Sequence, residues 1–189
     1  MHGLILRTRL LRRMIFRLWK IVVLFGSKSF VSNVHYASPE IKGSPSPVIF
    51  LTTFSKPIEF VVLSDLFCEK DLTFIAPKNL PDDKYLQITK SVNHILFLDE
   101  RLGFRFFRKL FSALRNFNRS IVISPHAATT YAPTIPIDPG VIARLAMLTN
   151  IPIVPVLFRW SGEQCNVYVG KKLFVSPRST EFKDIFFRT

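Results

Sequence analysis

The segment from Arg119 to Phe158 constrains the fold more than any other part of the chain, because it combines two buried strands with one helix. Residues 120–124 are a short apolar run that ends before a proline, which is typical of a buried parallel strand. A proline-rich loop follows. Pro139 to Asn150 then has apolar residues at helical spacing, with Asp138 as a suitable N-cap. A second buried apolar run begins at Ile151. This segment predicts a strand–helix–strand unit with a ligand site where its first strand ends.

The other apolar runs predict a single α/β domain with a mixed, mainly parallel sheet flanked by helices. The predicted strands outside the first unit are an edge strand within 27–36 and buried strands at 48–53, 72–76 and 94–98. A helix at 55–67 is expected to have Ser55 as its cap. Residues 166–170 and 172–176 predict a terminal hairpin that turns near Gly170.

Residues 101–117 give the clearest helical pattern of the chain. The apolar residues of this helix are expected to form one stripe that packs on the sheet. The stripe consists of Phe104, Phe107, Leu110, Phe111, Leu114 and Phe117.

Three runs within these elements resemble the glycerolipid acyltransferases, the family of the lysophosphatidic acid acyltransferases. They are Ile-Val-Ile-Ser-Pro from Ile121, Ile-Asp-Pro-Gly-Val-Ile-Ala-Arg-Leu-Ala from Ile137, and Ile-Pro-Ile-Val-Pro-Val from Ile151. The last run matches the family's fourth block closely. The third block of the family is Phe-Pro-Glu-Gly-Thr-Arg, of which this chain has only Pro125. The resemblance covers about Val48 to Phe158, and it implies acyl transfer from a thioester to lysophosphatidic acid, giving phosphatidic acid.

The same resemblance identifies the positions where catalysis is expected. Acyl transfer to a hydroxyl needs a general base, which the family supplies as a His followed five positions later by an Asp. In this chain Phe54 stands at the His position and Glu59 at the Asp position. A phenylalanine cannot accept a proton, so the family's reaction is expected to be impaired or reassigned. His126, at the family's Glu position in the third block, is the candidate for a relocated base or a phosphate contact, with a partly exposed loop histidine as the alternative.

Basic residues provide candidates for binding the substrate phosphate. Arg101 follows a predicted strand, as the family's second block requires, and Lys56 lies beside Phe54. The implied acyl donor is acyl-CoA or acyl-carrier protein, with no other cofactor and no metal. Cys68 and Cys165 lack the spacing of a zinc or redox site, so both are expected to be reduced and structural.

Two other constellations have the residues for catalysis but not the expected placement. His35 and Glu40 reproduce the spacing of a His–acid pair, yet they precede the first core strand. Ser124 and His126 are separated by one residue and suggest a Ser–His hydrolase, but no third orienting group is identifiable.

Residues 1–26 are expected to form a separate unit before the domain at 27–189. Residues 1–25 have six Lys or Arg and no acid, and their longest charge-free apolar run is far short of the roughly 20 residues of a membrane span. This pattern favours a basic amphipathic helix on a membrane surface. A signal peptide and an amphipathic core helix are the alternatives.

The whole chain has a net charge of +13 and contains 19 Phe, with a mean hydropathy of +0.25. Such a protein has two natural partners, an anionic phospholipid membrane or nucleic acid. The chain lacks a nucleic-acid-binding signature, so the second partner is not favoured. The sequence thus predicts a peripheral protein on the cytoplasmic side of a membrane, with lysophospholipid and acyl thioester as ligands. The alternatives are a non-catalytic lipid-surface protein and a basic nucleic-acid-binding module.

Overall fold

The computed structural model describes residues 31–44, 46–77, 93–98, 104–124 and 139–176, together with Met14, Leu18, Tyr85, Gln87, Thr89 and Lys90. The strands are β1 (Val31–Tyr36), β2 (Ile49–Thr52), β3 (Leu72–Pro77), β4 (His94–Leu98), β5 (Ser120–Ile123), β6 (Ile153–Ser161) and β7 (Gln164–Val169). The helices are α1 (Glu40–Gly43), α2 (Ile58–Leu66), α3 (Phe104–Arg115) and α4 (Pro139–Thr149).

All seven strands belong to one sheet in the order β1-β7-β6-β2-β5-β3-β4. Neighbouring strands pair in parallel throughout, except for the antiparallel pair of β6 and β7. The predicted α/β domain with a mixed, mainly parallel sheet is therefore confirmed. The predicted edge strand is also confirmed, since β1 lies at one end of the sheet.

Helices cover both faces of the sheet, which explains why β2 and β5 are buried along their whole length. On one face, α2 packs on Phe50, Phe74 and Val154. On the other face, α3 and α4 pack on Ile49, Ile121 and the other strand residues whose side chains point to that face. Because β2, β3 and β5 are parallel neighbours, their carboxyl ends lie side by side along one side of the sheet.

The C-terminal hairpin differs from the prediction. It is formed by β6 and β7, and Gly162, with φ of +61°, lies in its turn. Gly170 instead lies against β6, where its amide donates to the carbonyl of Pro155 at 2.8 Å. The prediction was wrong because β6 continues beyond Phe158 to Ser161, which moves the turn earlier in the chain. After β7, Leu173 forms only an isolated antiparallel bridge with Ile153.

Two helix predictions also need correction. α2 begins at Ile58 after Pro57 and has no side-chain cap, because the Ser55 hydroxyl is hydrogen-bonded to Glu59 instead. In α3 the buried residues are Phe106, Leu110, Ala113 and Leu114. Phe104 and Phe117, expected to pack on the sheet, are 80% and 59% exposed. The buried stripe is therefore rotated around the helix relative to the predicted one.

The predicted N-terminal helix of residues 1–26 lies outside the described residues, apart from Met14 and Leu18. Both are helical, and their side chains are 56% and 60% exposed. Among the helices in the described part of the chain, none has the length and apolar character needed to cross a bilayer.

Candidate functional site

The candidate site lies at the carboxyl end of β2, where the chain passes through residues 53–57 into α2. Phe54, two residues after the last residue of β2, is only 6% exposed. Its ring stacks on Phe60 of α2 with centroids 4.1 Å apart and an interplanar angle of 16°. Phe158 of β6 and Phe74 of β3 lie 6.2 and 6.4 Å from it. These four rings form an aromatic cluster, and Phe54 is part of the hydrophobic core.

Glu59, in the first turn of α2, is fully buried and accepts three short hydrogen bonds. The Ser55 amide donates to Oε2 at 2.6 Å, and the Ser55 hydroxyl donates to Oε1 at 2.6 Å. The indole Nε1 of Trp160 donates to Oε1 at 2.5 Å. Short, convergent donors of this kind are typical of a buried carboxylate, whose desolvation they offset. The whole head group of Glu59 is thereby held in one orientation.

Lys56 completes a polar group that we call the Glu59 cluster, consisting of Ser55, Lys56, Glu59 and Trp160. The Lys56 ammonium lies 3.9 Å from the centroid of the Trp160 ring, while the side chain itself is exposed. The indole therefore contacts the cation with its face and the carboxylate with its N–H. This arrangement holds a basic side chain at the protein surface, close to the buried carboxylate of Glu59.

Cys165 of β7 lies opposite Trp160 and is completely buried. Burial, and then the negative charge of Glu59, raise the pKa of its thiol to about 11. A thiol is nucleophilic only as the thiolate, so Cys165 is unsuited to nucleophilic catalysis at neutral pH. Cys68 is half-buried, and both cysteines are free thiols, as the sequence predicts.

The structure brings together three of the residues singled out from the sequence: Phe54, Lys56 and Glu59. His35 lies on β1, at the far edge of the sheet, where its ring stacks on Tyr168 with centroids 4.8 Å apart. Glu40 is exposed on α1. Ser124 directly follows β5 and is half-buried. Arg101 and His126 lie outside the described residues, so their predicted roles stay predictions.

The sequence analysis did not identify Ser55 as a hydrogen-bond donor to Glu59, and it did not identify Trp160 as part of the site. Trp160 is 101 positions from Glu59, and only the completed sheet brings them together. The alternation of β6 could have identified it, because Val154, Val156, Phe158 and Trp160 are alternate residues and point to the same face of the sheet. Continuing that alternation past Phe158 would have directed Trp160 to the same face as the aromatic cluster.

The Glu59 cluster is well built for holding a charge and poorly built for accepting a proton from a substrate. Among the described residues, the hydrogen-bond partners of Glu59 are Ser55 and Trp160, and neither is a base. The position next to Ser55, where the sequence resemblance would place a histidine, holds the buried ring of Phe54. The residues present thus provide a fixed carboxylate, a serine hydroxyl that is hydrogen-bonded to it, and an ammonium held over an indole ring.

The fold was compared with known proteins. No family model matches the sequence, and no curated protein matches it. Among solved structures, the crystal structure of the 1-acyl-sn-glycerophosphate (LPA) acyltransferase PlsC from Thermotoga maritima is similar, with a TM-score of 0.56 at 13% sequence identity. The similarity covers 94% of this chain and 92% of PlsC. The chain therefore has an acyltransferase-like fold, and the resemblance seen in its sequence blocks is confirmed at the level of fold.

Proposed function

From this fold we propose that the chain is a lipid-surface protein of the glycerolipid acyltransferase kind, in which the family's reaction is impaired or reassigned. That reaction is acyl transfer from an acyl thioester to lysophosphatidic acid, giving phosphatidic acid. The observation that carries the proposal is the burial of Phe54, which the sequence resemblance matches to the catalytic His of the family.

Phe54 is packed into the core, and its phenyl ring cannot accept a proton. Its ring stacks on Phe60 and is 6% exposed, so it belongs to the core rather than to an open pocket. Glu59, at the family's Asp position, has lost the imidazole that an acid would orient. It is instead held by Ser55 and Trp160. An acid that is fully engaged with structural donors maintains the shape of the site without taking part in proton transfer.

Retention of ligand binding is supported by Lys56. Its ammonium is exposed and held over Trp160, where it can contact a lipid phosphate. We propose that Lys56 and Arg101 bind the phosphate of a lysophospholipid, with acyl-CoA or acyl-carrier protein as the donor in any transfer that remains. No metal or other cofactor is required for this binding.

A peripheral position on the cytoplasmic side of a membrane is proposed from the N-terminal segment. Residues 1–25 combine six cations with many large apolar side chains and contain no acid. Met14 and Leu18, four residues apart in a helix, are both exposed. Exposed apolar residues at this spacing support a helix that lies on a bilayer rather than one that packs in the core.

The proposal is tested by incubating the protein with lysophosphatidic acid in anionic vesicles and a radiolabelled acyl thioester. We expect the protein to bind the vesicles and to form no phosphatidic acid above the level of a protein-free control. Phosphatidic acid that disappears in the variant His126→Ala would instead make His126 a relocated base and the protein a working acyltransferase.

A further inference from the structure

The two helices α3 and α4 lie side by side on one face of the sheet, and neither helix contains an acidic residue. Their exposed surface carries only positive charge. We call this surface the cationic layer; its charged members are Arg105, Arg108, Lys109, Arg115 and Arg144, all of which are exposed.

Within the described part of the chain, the charges of the cationic layer have no acidic partner. None of the five side chains forms an ion pair with another residue in the part of the chain that the structure describes. Arg105 lies one helical turn from both Arg108 and Lys109, and like charges at this spacing destabilise a helix. A surface with this arrangement is electrostatically complementary to an anionic partner.

Large apolar side chains project from the same layer. Phe104, at the start of α3, is 80% exposed, and Leu148 and Met147 of α4 are 56% and 39% exposed. On a helical projection Phe104 lies close to Arg108 and Arg115, on the side opposite the buried stripe. Cations around exposed apolar residues are the pattern of helices that lie at the headgroup boundary of a bilayer.

We propose that the outer face of α3 and α4 docks on an anionic phospholipid bilayer, with its cations on lipid phosphates and Phe104 inserted between headgroups. This inference rests on the membrane association proposed above and adds a second contact to that of the N-terminal segment. Single-stranded nucleic acid fits the layer less well, because Phe104 is the only one of these three exposed apolar side chains with a ring on which a base can stack, whereas a bilayer also accommodates Met147 and Leu148.

The position of α3 connects this surface with the candidate site. α3 follows β4, which runs parallel to β3, β5 and β2 across the sheet. Phe104 therefore lies at the same end of the strands as the Glu59 cluster, while α3 and the Glu59 cluster pack on opposite faces of the sheet. A bilayer bound through the start of α3 would therefore lie next to the carboxyl ends of the strands, where residues 53–57 lead from β2 into α2.

The test uses the full chain and vesicles made of phosphatidylcholine alone or of equal parts phosphatidylcholine and phosphatidylglycerol. Binding is measured by co-sedimentation for a layer variant, Arg105→Gln/Arg108→Gln/Lys109→Gln. The matched control, Lys90→Gln/Arg159→Gln/Lys171→Gln, removes three exposed cations outside α3 and α4. Both variants change the net charge equally, so a difference between them reports location. A thermal melt of each variant establishes that it is folded.

We expect the layer variant to bind anionic vesicles about 100-fold more weakly than the unaltered chain, at about five-fold per cation lost. The control variant should lose much less affinity for the anionic vesicles. Equal weakening of both variants, or unchanged binding of the layer variant, would overturn the inference while leaving the proposed function standing. Failure of the unaltered chain to bind anionic vesicles would instead refute the membrane association itself. Loss of DNA binding but not vesicle binding in the layer variant would assign the surface to nucleic acid and overturn the inference.

The insertion of Phe104 is tested separately with Phe104→Trp and vesicles of brominated phospholipid. A tryptophan at this position should be quenched on binding, in excess of the quenching of the native protein. The control is Leu157→Trp, at a position on β6 that is 53% exposed and outside both helices. Equal quenching at the two positions would contradict docking through α3.

Discussion

Replacing Glu59 with Gln tests the physical basis of the candidate site, because it keeps the shape of the side chain and removes its charge. In the native protein both carboxylate oxygens accept from donors: two at Oε1 and one at Oε2. Gln has a single oxygen acceptor, and its amide nitrogen is a donor. Whichever way the amide is oriented, at least one of the donors from Ser55 and Trp160 faces another donor.

The size of the effect follows from this count of hydrogen bonds. With the amide oxygen in the place of Oε1, two hydrogen bonds remain but lose their charge assistance, at about 1 kcal/mol each. The third bond is lost and leaves a donor unsatisfied, at about 1–3 kcal/mol. Removing a buried charge relieves part of this loss, because the desolvation of the carboxylate disappears. We therefore expect Glu59→Gln to lower the free energy of unfolding by about 3 kcal/mol.

Urea denaturation followed by circular dichroism measures this change, with the m-value expected to stay constant. The control is Glu163→Gln in the exposed turn after β6, which should change the free energy of unfolding by less than about 0.5 kcal/mol. A cycle with Trp160→Phe isolates the contact between the indole and the carboxylate, for which we expect a coupling of about 1–2 kcal/mol. A loss below about 1 kcal/mol for Glu59→Gln, together with zero coupling to Trp160, would refute the three-donor description of the site.

Three further predictions concern residues outside the site. Because burial raises the pKa of Cys165 to about 11, a thiol reagent at pH 8 should modify the half-buried Cys68 in the folded protein and Cys165 only after unfolding; rapid labelling of both would contradict this. Burial, and then the charge of Lys172, lower the pKa of Lys70 to about 8 from its ordinary 10.5. Between these two pH values the unfolded chain binds the Lys70 proton more tightly than the folded protein does. The free energy of unfolding of the native protein, relative to that of Lys70→Met, should therefore rise from pH 8 to about 10.5. A difference that stays constant with pH in urea titrations would contradict this. Comparison with Lys70→Met cancels the titration of Cys165, which lowers stability above pH 9. Finally, a Cβ at Gly170 would lie 2.6 Å from Cγ of Pro155, so Gly170→Ala should cost about 1–3 kcal/mol in thermal melts, and an unchanged melting temperature would contradict this close approach.

The order of strands and helices was predictable because this sheet is buried on both faces. β2 and β5 are continuous apolar runs, and a proline or polar loop follows each of them, so their positions are evident without any tertiary information. Pro139 at the first position of α4 and Asn150 after its end, with φ of +53°, likewise act through local backbone preferences.

The errors arose where position depends on contacts made elsewhere in the fold. Two apolar stripes that share Leu110 and Leu114 compete in α3, and only packing on β5 and α4 selects the one with Phe106 and Ala113 over the one with Phe104 and Phe117. The end of β6 is set by its pairing with β7, from Ser161 back to Val156, and not by its own sequence.

The candidate site was predictable only in part for the same reason. The sequence register placed Phe54, Lys56 and Glu59 together, since they belong to one loop and the start of one helix. The structure adds the aromatic cluster and the donor from Trp160, which come from β3, α2 and β6. Side chains that meet across a parallel sheet have no local sequence pattern that links them.

We propose that this protein keeps an acyltransferase-like fold while the buried ring of Phe54 stands where the family has its proton acceptor. The most direct test of this proposal is the initial rate of phosphatidic acid formation from lysophosphatidic acid and acyl thioester, measured beside Thermotoga maritima PlsC on the same anionic vesicles. Because a general base contributes about 10²–10⁴-fold, we expect this protein to be slower than PlsC by at least that factor, with Glu59→Gln causing no further loss. A rate within ten-fold of PlsC, or one that falls steeply in Glu59→Gln while the variant remains folded, would contradict the account.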